Sequence, residues 1–317
     1  MSRFPPLDLT QIRTYPLGKR PSKVAASAVG TVHRPGASVR EFLASLPNIL
    51  AAHDVREIAT AIAERQRTGK TIGLGMGAHP IKVGLSPLII DLMERGIVDV
   101  VAMNGATIIH DFEMAYHGQT SEDVAAHLQD GRFGMAHETG EFLNAAIRRG
   151  ARDGLGLGHS IGREIISAGL PNQHLSILAT ACRRDIPATV HVAIGTDVIH
   201  MHPLADGAAI GQTSLADFQT LAAAVAHMHG GVFINLGSAV VIPETFLKAL
   251  NLARNVGHTV EDLITIDMDF VRHYRPHVNV VQRPTQGSGR GYELTGHHEI
   301  MFPLLCAAII EELERPA

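Results

Sequence analysis

Residues 73–112 read GLGMGAHPIKVGLSPLIIDLMERGIVDVVAMNGATIIHDF, and the apolar run TIGLGM (71–76) leads into them. That run stops in glycines. Helical spacing follows from Val83 to Arg95, then a second apolar run, VDVVAMN (98–104), stops at small residues. Helical spacing returns over ATIIHDFEMAYHG (106–118). Both runs are apolar throughout rather than alternating, which marks strands covered on both faces. Strands of that kind separated by helices predict a parallel sheet.

The same unit recurs down the chain. ATVHVAI (188–194), GVFINLG (231–237) and LITIDMDF (263–270) read as three more buried strands. Helical patterns cover 41–67 with a break at Pro47, then 121–129, 138–149, 160–184, Leu215–Met228, Pro243–Asn255 and 299–313. The polar stretch 271–296 reads as a long loop. The expected fold is α/β: a doubly wound, mainly parallel Rossmann-like sheet with helices on both faces. Residues 41–317 read as one such domain, with no internal repeat and no linker.

With 317 residues, 45% hydrophobic, 18% charged and 31 glycines, the composition is that of a globular chain and excludes disorder and collagen-like repeats. Cys182 and Cys306 lie in apolar helical patterns and read as core thiols rather than a disulfide framework. No apolar run approaches the roughly 18 residues of a membrane span, and the first residues lack the apolar stretch of a signal peptide. A soluble cytoplasmic protein is expected. The net charge of −4 argues against nucleic acid as the partner. Residues 1–40 hold seven Lys/Arg (Arg3, Arg13, Lys19, Arg20, Lys23, Arg34, Arg40) and one acid, Asp8, so the body carries a net −10. This basic, Pro-containing arm reads either as a loosely ordered leader or as a segment that lies on an acidic surface of its own or a neighbouring chain. No G-x-S-x-G elbow, P-loop or C-x-x-C is present, which leaves serine-hydrolase, P-loop NTPase and thioredoxin readings without support.

Open α/β sheets bind ligands outside the carboxyl ends of their strands. The segments to inspect are therefore Gly75–His79, Asn104–Asp111, Gly195–His202, Asn235–Ser238, Asp267–Arg272 and 286–298, all rich in Gly, Asn, His, Asp and Thr. GLGMGA (73–78) has the spacing G-x-G-x-x-A of a dinucleotide turn, or of glycines that let strand and helix pack closely. Histidine is abundant, at 19 residues, and His79, His110, His191, His200, His202, His297 and His298 fall in these segments. His191, in a buried strand, reads as a satisfied core residue. His200 and His202 could bind zinc with Asp197 or Asp206, but no Cys cluster or H-E-x-x-H helix completes a ligand set, so no metal site is assigned. GSGRGY (287–292) reads as a loop whose Arg290, with Arg283 and Arg272, suits a phosphate or carboxylate.

From about residue 55 onward the chain resembles the deoxyhypusine synthase family. The resemblance is carried by residues 73–112, IPATVHVAIGTDVIH (186–200), NLGSAVV (235–241) and EIMFPLL (299–305), in that order. Thr196-Asp197 match the family's Thr-Asp-Gly-Ser, while Val198-Ile199 replace Gly-Ser; Gly237 and Ser238 fill two places of a triple-glycine turn. The resemblance implies a Rossmann-like homotetramer whose NAD site is capped by an N-terminal segment of the partner chain. It implies Gly77, Ala78, Gly105, Ala106, Asp197, Gly237 and Ser238 as NAD contacts. His297 takes the place of the family aspartate before the last helix. A family glutamate falls near Ile109 or His110, and a family histidine falls at Pro243 beside Glu244.

The nucleophile departs. The family carries an aminobutyl group as an imine on a lysine late in the chain, and arginine, always protonated, cannot replace it. The lysines here are Lys19, Lys23, Lys70, Lys82 and Lys248, with none later. Only Lys82, just after the first glycine turn, is placed to approach the cleft. The expected function is a deoxyhypusine-synthase-like, NAD-binding enzyme of the transferase or oxidoreductase class acting on a small polar or amine metabolite, not a true deoxyhypusine synthase. Its acid, base or amine-binding groups would come from His110, His200, His202, His297 and Glu244, with Asp111, Asp197 and Glu299. The alternatives are an aminobutyl transferase with a relocated nucleophile, a non-catalytic nucleotide-binding module, and a His-dependent metal hydrolase or lyase.

Overall fold

The computed structural model describes residues 3–315. After three short 3-10 turns (Leu9–Gln11, Leu17–Lys19 and Ala26–Ala28), the α-helices begin with α1 (Val39–Ser45), whose Ser38 and Glu41 form a reciprocal cap, and α2 (Leu50–Arg67). The chain then runs β1 (Ile72–Met76), α3 (His79–Lys82), α4 (Ser86–Glu94), β2 (Val100–Asn104), α5 (Gly105–His117), α6 (Val124–Leu128) and α7 (His137–Asp153). It continues through α8 (Leu157–Ser167), α9 (Ile177–Arg184), β3 (Ala188–His191), a 3-10 turn (Val198–Met201), α10 (Gly207–Ala226), β4 (Val232–Leu236), α11 (Val241–Asn255) and β5 (Ile264–Asp269). Last come α12 (Tyr274–Pro276), a π-helical turn (His277–Gln282), β6 (Arg290–Thr295) and α13 (His298–Leu313).

All six strands are parallel, in the order β3-β2-β1-β4-β5-β6. The fold class expected from the sequence is the one observed. The sixth strand corrects the reading of 271–296 as loop. RGYELT alternates exposed and buried residues at a sheet edge and offers no apolar run to read. Arg290 opens this strand beside Ile264, the first residue of β5, so it lies at the opposite end of the sheet from the strand carboxyl ends. It pairs there with Glu57 at 2.6 Å and covers the Tyr292 ring, so it does not serve the cleft.

Period-two alternation sorts the core into two layers. Ile72, Leu74, Met76, Val232, Ile234, Leu236, Ile264, Ile266 and Met268 face the larger core with α2, α4, α5, α8, α9 and α13. Val100, Ala102 and Phe233 face the smaller core with α10 and α11. On that second face, Gly73 and Gly75 leave room for a large aromatic neighbour. Phe233 stacks on Phe246 with centroids 3.8 Å apart, and a Cβ at Gly75 would stand 2.7 Å from the Phe233 ring and 2.4 Å from Ile242. The first two glycines of the G-x-G-x-x-A spacing are thus packing residues inside β1, and the turn begins only at Gly77. Two buried carboxylates pin helices to this frame. Asp111 accepts from Ser176 Oγ (2.5 Å) and the Ile177 N–H (2.7 Å), holding the start of α9; it is a structural group rather than a cleft acid. Asp217 accepts from the Gly158 (2.9 Å) and Val190 (2.7 Å) N–H groups, tying α8 to edge strand β3. Cys306 is buried, and its thiol is pushed up to about 12, chiefly by burial.

Gly75→Ala is expected to destabilise the protein by about 1–3 kcal/mol through overpacking, read as a lower urea midpoint at unchanged slope. An unchanged midpoint would show that the Phe233 side of β1 is loosely packed.

Candidate functional site

The strand order reverses between β1, which continues to β2 and β3, and β4, which continues to β5 and β6. Ligand-binding crevices open at such a switch point. Here the two diverging loops touch. The Gly77 N–H donates to the Leu236 carbonyl at 3.1 Å, and a Cβ on Gly77 would lie 2.4 Å from the Gly237 carbonyl oxygen. Gly237 has φ +66°, a region that disfavours other residues, and a Cβ there would meet the His298 ring at 2.8 Å. Ser238 Oγ accepts the Ile242 N–H at 3.2 Å and holds the first turn of α11. The turn is braced from below: Asn235 Nδ2 donates to the Ser238 carbonyl (2.9 Å) and to Asp267 Oδ1 (2.7 Å). Burial lifts the Asp267 carboxyl to about 6.

Asp197 arrives from the loop after β3 and lies over the first residue of α5. A Cβ at Gly105 would fall 2.0 Å from Asp197 Oδ2, so glycine is required for the carboxylate to sit there. His200 Nδ1 accepts the Gly195 N–H at 3.1 Å, which leaves its Nε2 as the proton-bearing nitrogen, 4.0 Å from Asp197 Oδ2. Neither of these two atoms has a hydrogen-bond partner. Burial raises the Asp197 carboxyl to about 6. Among the described residues, six buried side-chain polar atoms lack a partner, and four of them, Asp197 Oδ2, His200 Nε2, Asn235 Oδ1 and His298 Nδ1, sit along this rim. Buried polar groups are normally satisfied, so this row of orphans makes the rim the candidate binding site.

A cavity of about 260 Å³ adjoins Asp197. Its lining includes Ala106, His110, Glu113, Thr139, Thr196 and Lys82. Glu113 accepts from Thr120 Oγ1 (2.5 Å) and Thr139 Oγ1 (3.1 Å), and Thr120 Oγ1 lies 2.6 Å from His110 Nδ1. His110 is pushed down to about 4, by burial first and then by the charge of Lys82.

The residues singled out in the sequence therefore divide. Gly77, Ala78, Gly237 and Ser238 meet at the switch point, and Gly105, Ala106, Asp197, His110 and His200 gather beside it. His202 turns away. Its ring lies flat against Gly140 of α7, where a Cβ would be 2.0 Å from Nδ1, and its Nε2 bonds the Gly134 carbonyl at 3.0 Å. Asp206 caps α10 through the Ala208 and Ala209 N–H groups. The His-x-His pair is thus split, and among the described residues no group of three His, Cys, Asp or Glu side chains is placed to hold a metal. His297 is 72% exposed and lies 4.0 Å from exposed Glu299; the next residue, His298, is the buried one. His298 packs edge-on against His79 and bonds the Met268 carbonyl at 3.3 Å. Glu244 is engaged on the outer side of α11 with Lys248, Arg275 (3.2 Å) and Asn279 (2.9 Å). His191 is buried against Thr189 and lowered to about 4 by burial. Thr120 and Glu113 carried no sequence signal, because the loop from 118 to 123 decides their placement.

No family model and no curated protein matches the chain. Solved structures share its fold. A protein of Entamoeba histolytica assigned as a deoxyhypusine synthase superposes with a TM-score of 0.53 at 13% identity, over 88% of this chain and 96% of that one. An arginine dihydrolase from the ornithine–ammonia cycle in cyanobacteria matches at TM-score 0.52 and 16% identity, over 84% of this chain but 32% of its own. AgrE, solved in a ternary complex with ornithine and NAD+, matches at TM-score 0.50 and 14% identity, over 83% of this chain and 33% of its own. The chain thus spans about a third of the length of the last two proteins. These likenesses define the class by fold alone, a Rossmann-like α/β sheet.

Asp197 should be costly to the free protein. Its folded pKa, about 6, lies above its ordinary value of 3.8, so its contribution to stability is full below 3.8 and is lost as pH rises through 6. Asp197→Asn should therefore raise the melting temperature at neutral pH and leave it unchanged near pH 3.8. Equal shifts at both would show that the carboxylate is not desolvated.

Proposed function

We propose that the protein is an NAD-binding enzyme that acts on a small polar metabolite, with the dinucleotide across the β1–β4 switch point and the metabolite in the cavity beside Asp197. The observation that carries this reading is the orphaned, buried Asp197 Oδ2, held over Gly105 on the same rim as the side-chain-free contact of Gly77 with Gly237. A carboxylate at a strand end accepts hydrogen bonds from ribose hydroxyls, and bare glycine backbone lets a pyrophosphate approach closely. In the usual arrangement that acid follows β2; here it comes from beyond β3 and lies over Gly105, the residue that follows β2. A bound nicotinamide would supply hydride transfer. AgrE, solved with ornithine and NAD+, lends support from the same fold.

Asp197→Ala should weaken NAD binding at least about tenfold, since a hydrogen bond to a charged group is worth about 1.5–3 kcal/mol. In the unaltered protein the affinity should fall as pH drops below about 6, where the Asp197 carboxyl takes up its proton. Unchanged affinity in calorimetry would place the cofactor elsewhere or exclude it.

A second reading, aminobutyl transfer by a relocated nucleophile, draws on Lys82. This lysine lines the cavity with His110 and Asp197, while Lys248 is engaged with Glu244. The chemistry still favours the first reading, because the family's late lysine is missing. Incubation with spermidine and NAD followed by borohydride should trap nothing; an adduct mapped to Lys82 would establish the second.

The basic arm supports self-association. Residues 3–27 are exposed along their whole length, and Leu7, Leu9, Ile12, Tyr15 and Leu17 are largely solvent-facing in a single chain. An apolar, positively charged arm and a negatively charged body suit docking onto a second copy. Light scattering should give a multiple of 34.0 kDa, most simply a tetramer; a monomer at micromolar concentration would contradict this.

A further inference from the structure

At the wall of the cavity beside Asp197 a hydrogen-bonded chain runs from Glu113 through Thr120 to His110. Thr120 has one hydroxyl proton, and Glu113 Oε2, a carboxylate oxygen 2.5 Å away, can only accept it. The Thr120 oxygen must therefore accept from His110 Nδ1, 2.6 Å away. That fixes the proton of the neutral imidazole on Nδ1 and leaves the lone pair on Nε2. The pattern is that of a base oriented by a second group that is itself oriented by a third. Thr139 Oγ1 donates to the other oxygen of Glu113 at 3.1 Å and keeps the carboxylate from turning away.

The charged groups around His110 sort into committed and uncommitted. Glu113 is held by Thr120 and Thr139. Glu122 accepts the Gly134 N–H (2.8 Å) and pairs with His127 (2.6 Å). Asp197 and Lys82 remain: Asp197 Oδ2 has no partner, and Lys82 has no ion pair among the described residues. Asp197 belongs to the dinucleotide in the reading above, so Lys82 is the charge left for the metabolite. The cavity, about 260 Å³, falls below the roughly 300–1,000 Å³ that drug-sized ligands occupy, so its occupant is small.

We propose that His110 Nε2 is the proton acceptor for the hydroxyl of a small anionic alcohol seated in this cavity, that Lys82 anchors its carboxylate or phosphate, and that Thr120 and Glu113 are positioning residues. In this step the alcohol O–H bond breaks and an N–H bond forms at Nε2. The electron pair stays on oxygen and forms the carbonyl as the adjacent C–H leaves as hydride to an oxidised nicotinamide, the co-reactant of the reading above. Burial and the Lys82 charge keep the free imidazole neutral at neutral pH, and pairing of Lys82 with the anion removes the charge that opposes its protonation. The proposal rests on the NAD-enzyme reading for its oxidant, but the geometry of His110 does not, and the two are separable by experiment.

The test is nitrogen NMR on the full chain with labelled histidine, His110 being assigned through His110→Gln. At neutral pH the signal should be that of a neutral ring protonated on Nδ1. Thr120→Ser should preserve it, and Thr120→Val should shift it to a tautomer mixture. An Nε2-protonated or doubly protonated ring, or an unchanged tautomer in Thr120→Val, would overturn the relay. Glycolate and glycerol phosphate are the probes for the anion. A shift of the His110 signal with either one, weakened about tenfold in Lys82→Gln as expected for a lost charged contact, supports the proposal and names the anion. No shift with either, or a shift indifferent to Lys82→Gln, overturns the substrate class. None of these readouts needs the dinucleotide, so failure of NAD to bind in calorimetry would be a separate result.

Discussion

The contact between Gly77 and Gly237 is the constraint on which the site depends. At the switch point the neighbouring strands β1 and β4 send their chains to opposite flanks of the sheet, and their first loop residues meet before they part. At 2.4 Å from a hypothetical Cβ to a carbonyl oxygen, neither loop tolerates a side chain at that point. The crevice floor is therefore bare backbone, and all functional side chains must reach in from elsewhere. Asn235 and Asp267 support it from the strands below, His298 from the start of α13, and Asp197 and His110 from the β2–β3 side.

The rim holds its polar groups at the expense of stability. Asp197 and Asp267 are carboxyls lifted to about 6 by burial, and Asp197 lacks even a neutral partner on one oxygen. Asp111 is just as buried and is also lifted to about 6, yet it caps a helix with three donors. The difference separates the two carboxylates: burial is common to both, and only Asp197, the one proposed to bind a ligand, has an oxygen left unsatisfied. The same distinction separates His191, closed off against Thr189, from His110, which lines a cavity.

Much of this was legible in the sequence. The four inner strands and the edge strand β3 show as apolar runs because both of their faces are covered, and the residues after them identify the rim. The edge strand β6 does not show, because RGYELT is half exposed, and Arg290 was consequently assigned to the wrong end of the sheet. The glycines of β1 read equally as a phosphate turn or as packing until Phe233 is seen beside Gly75. His297 and His298 are adjacent in sequence, and only the way the chain enters α13 decides which one is buried. The orientation of His202 depends on Gly140, sixty-two residues earlier in the numbering, and the Thr120–Glu113 support of His110 depends on a loop. Long-range contacts of this kind have no spacing rule to betray them.

Amide hydrogen exchange with and without NAD tests the central claim most directly. The account predicts protection confined to the rim, at residues 77–79, 105–107, 196–200 and 237–239, with the opposite end of the sheet around Glu57 and Arg290 unaffected. Protection at that opposite end, or none at saturating NAD, would contradict it.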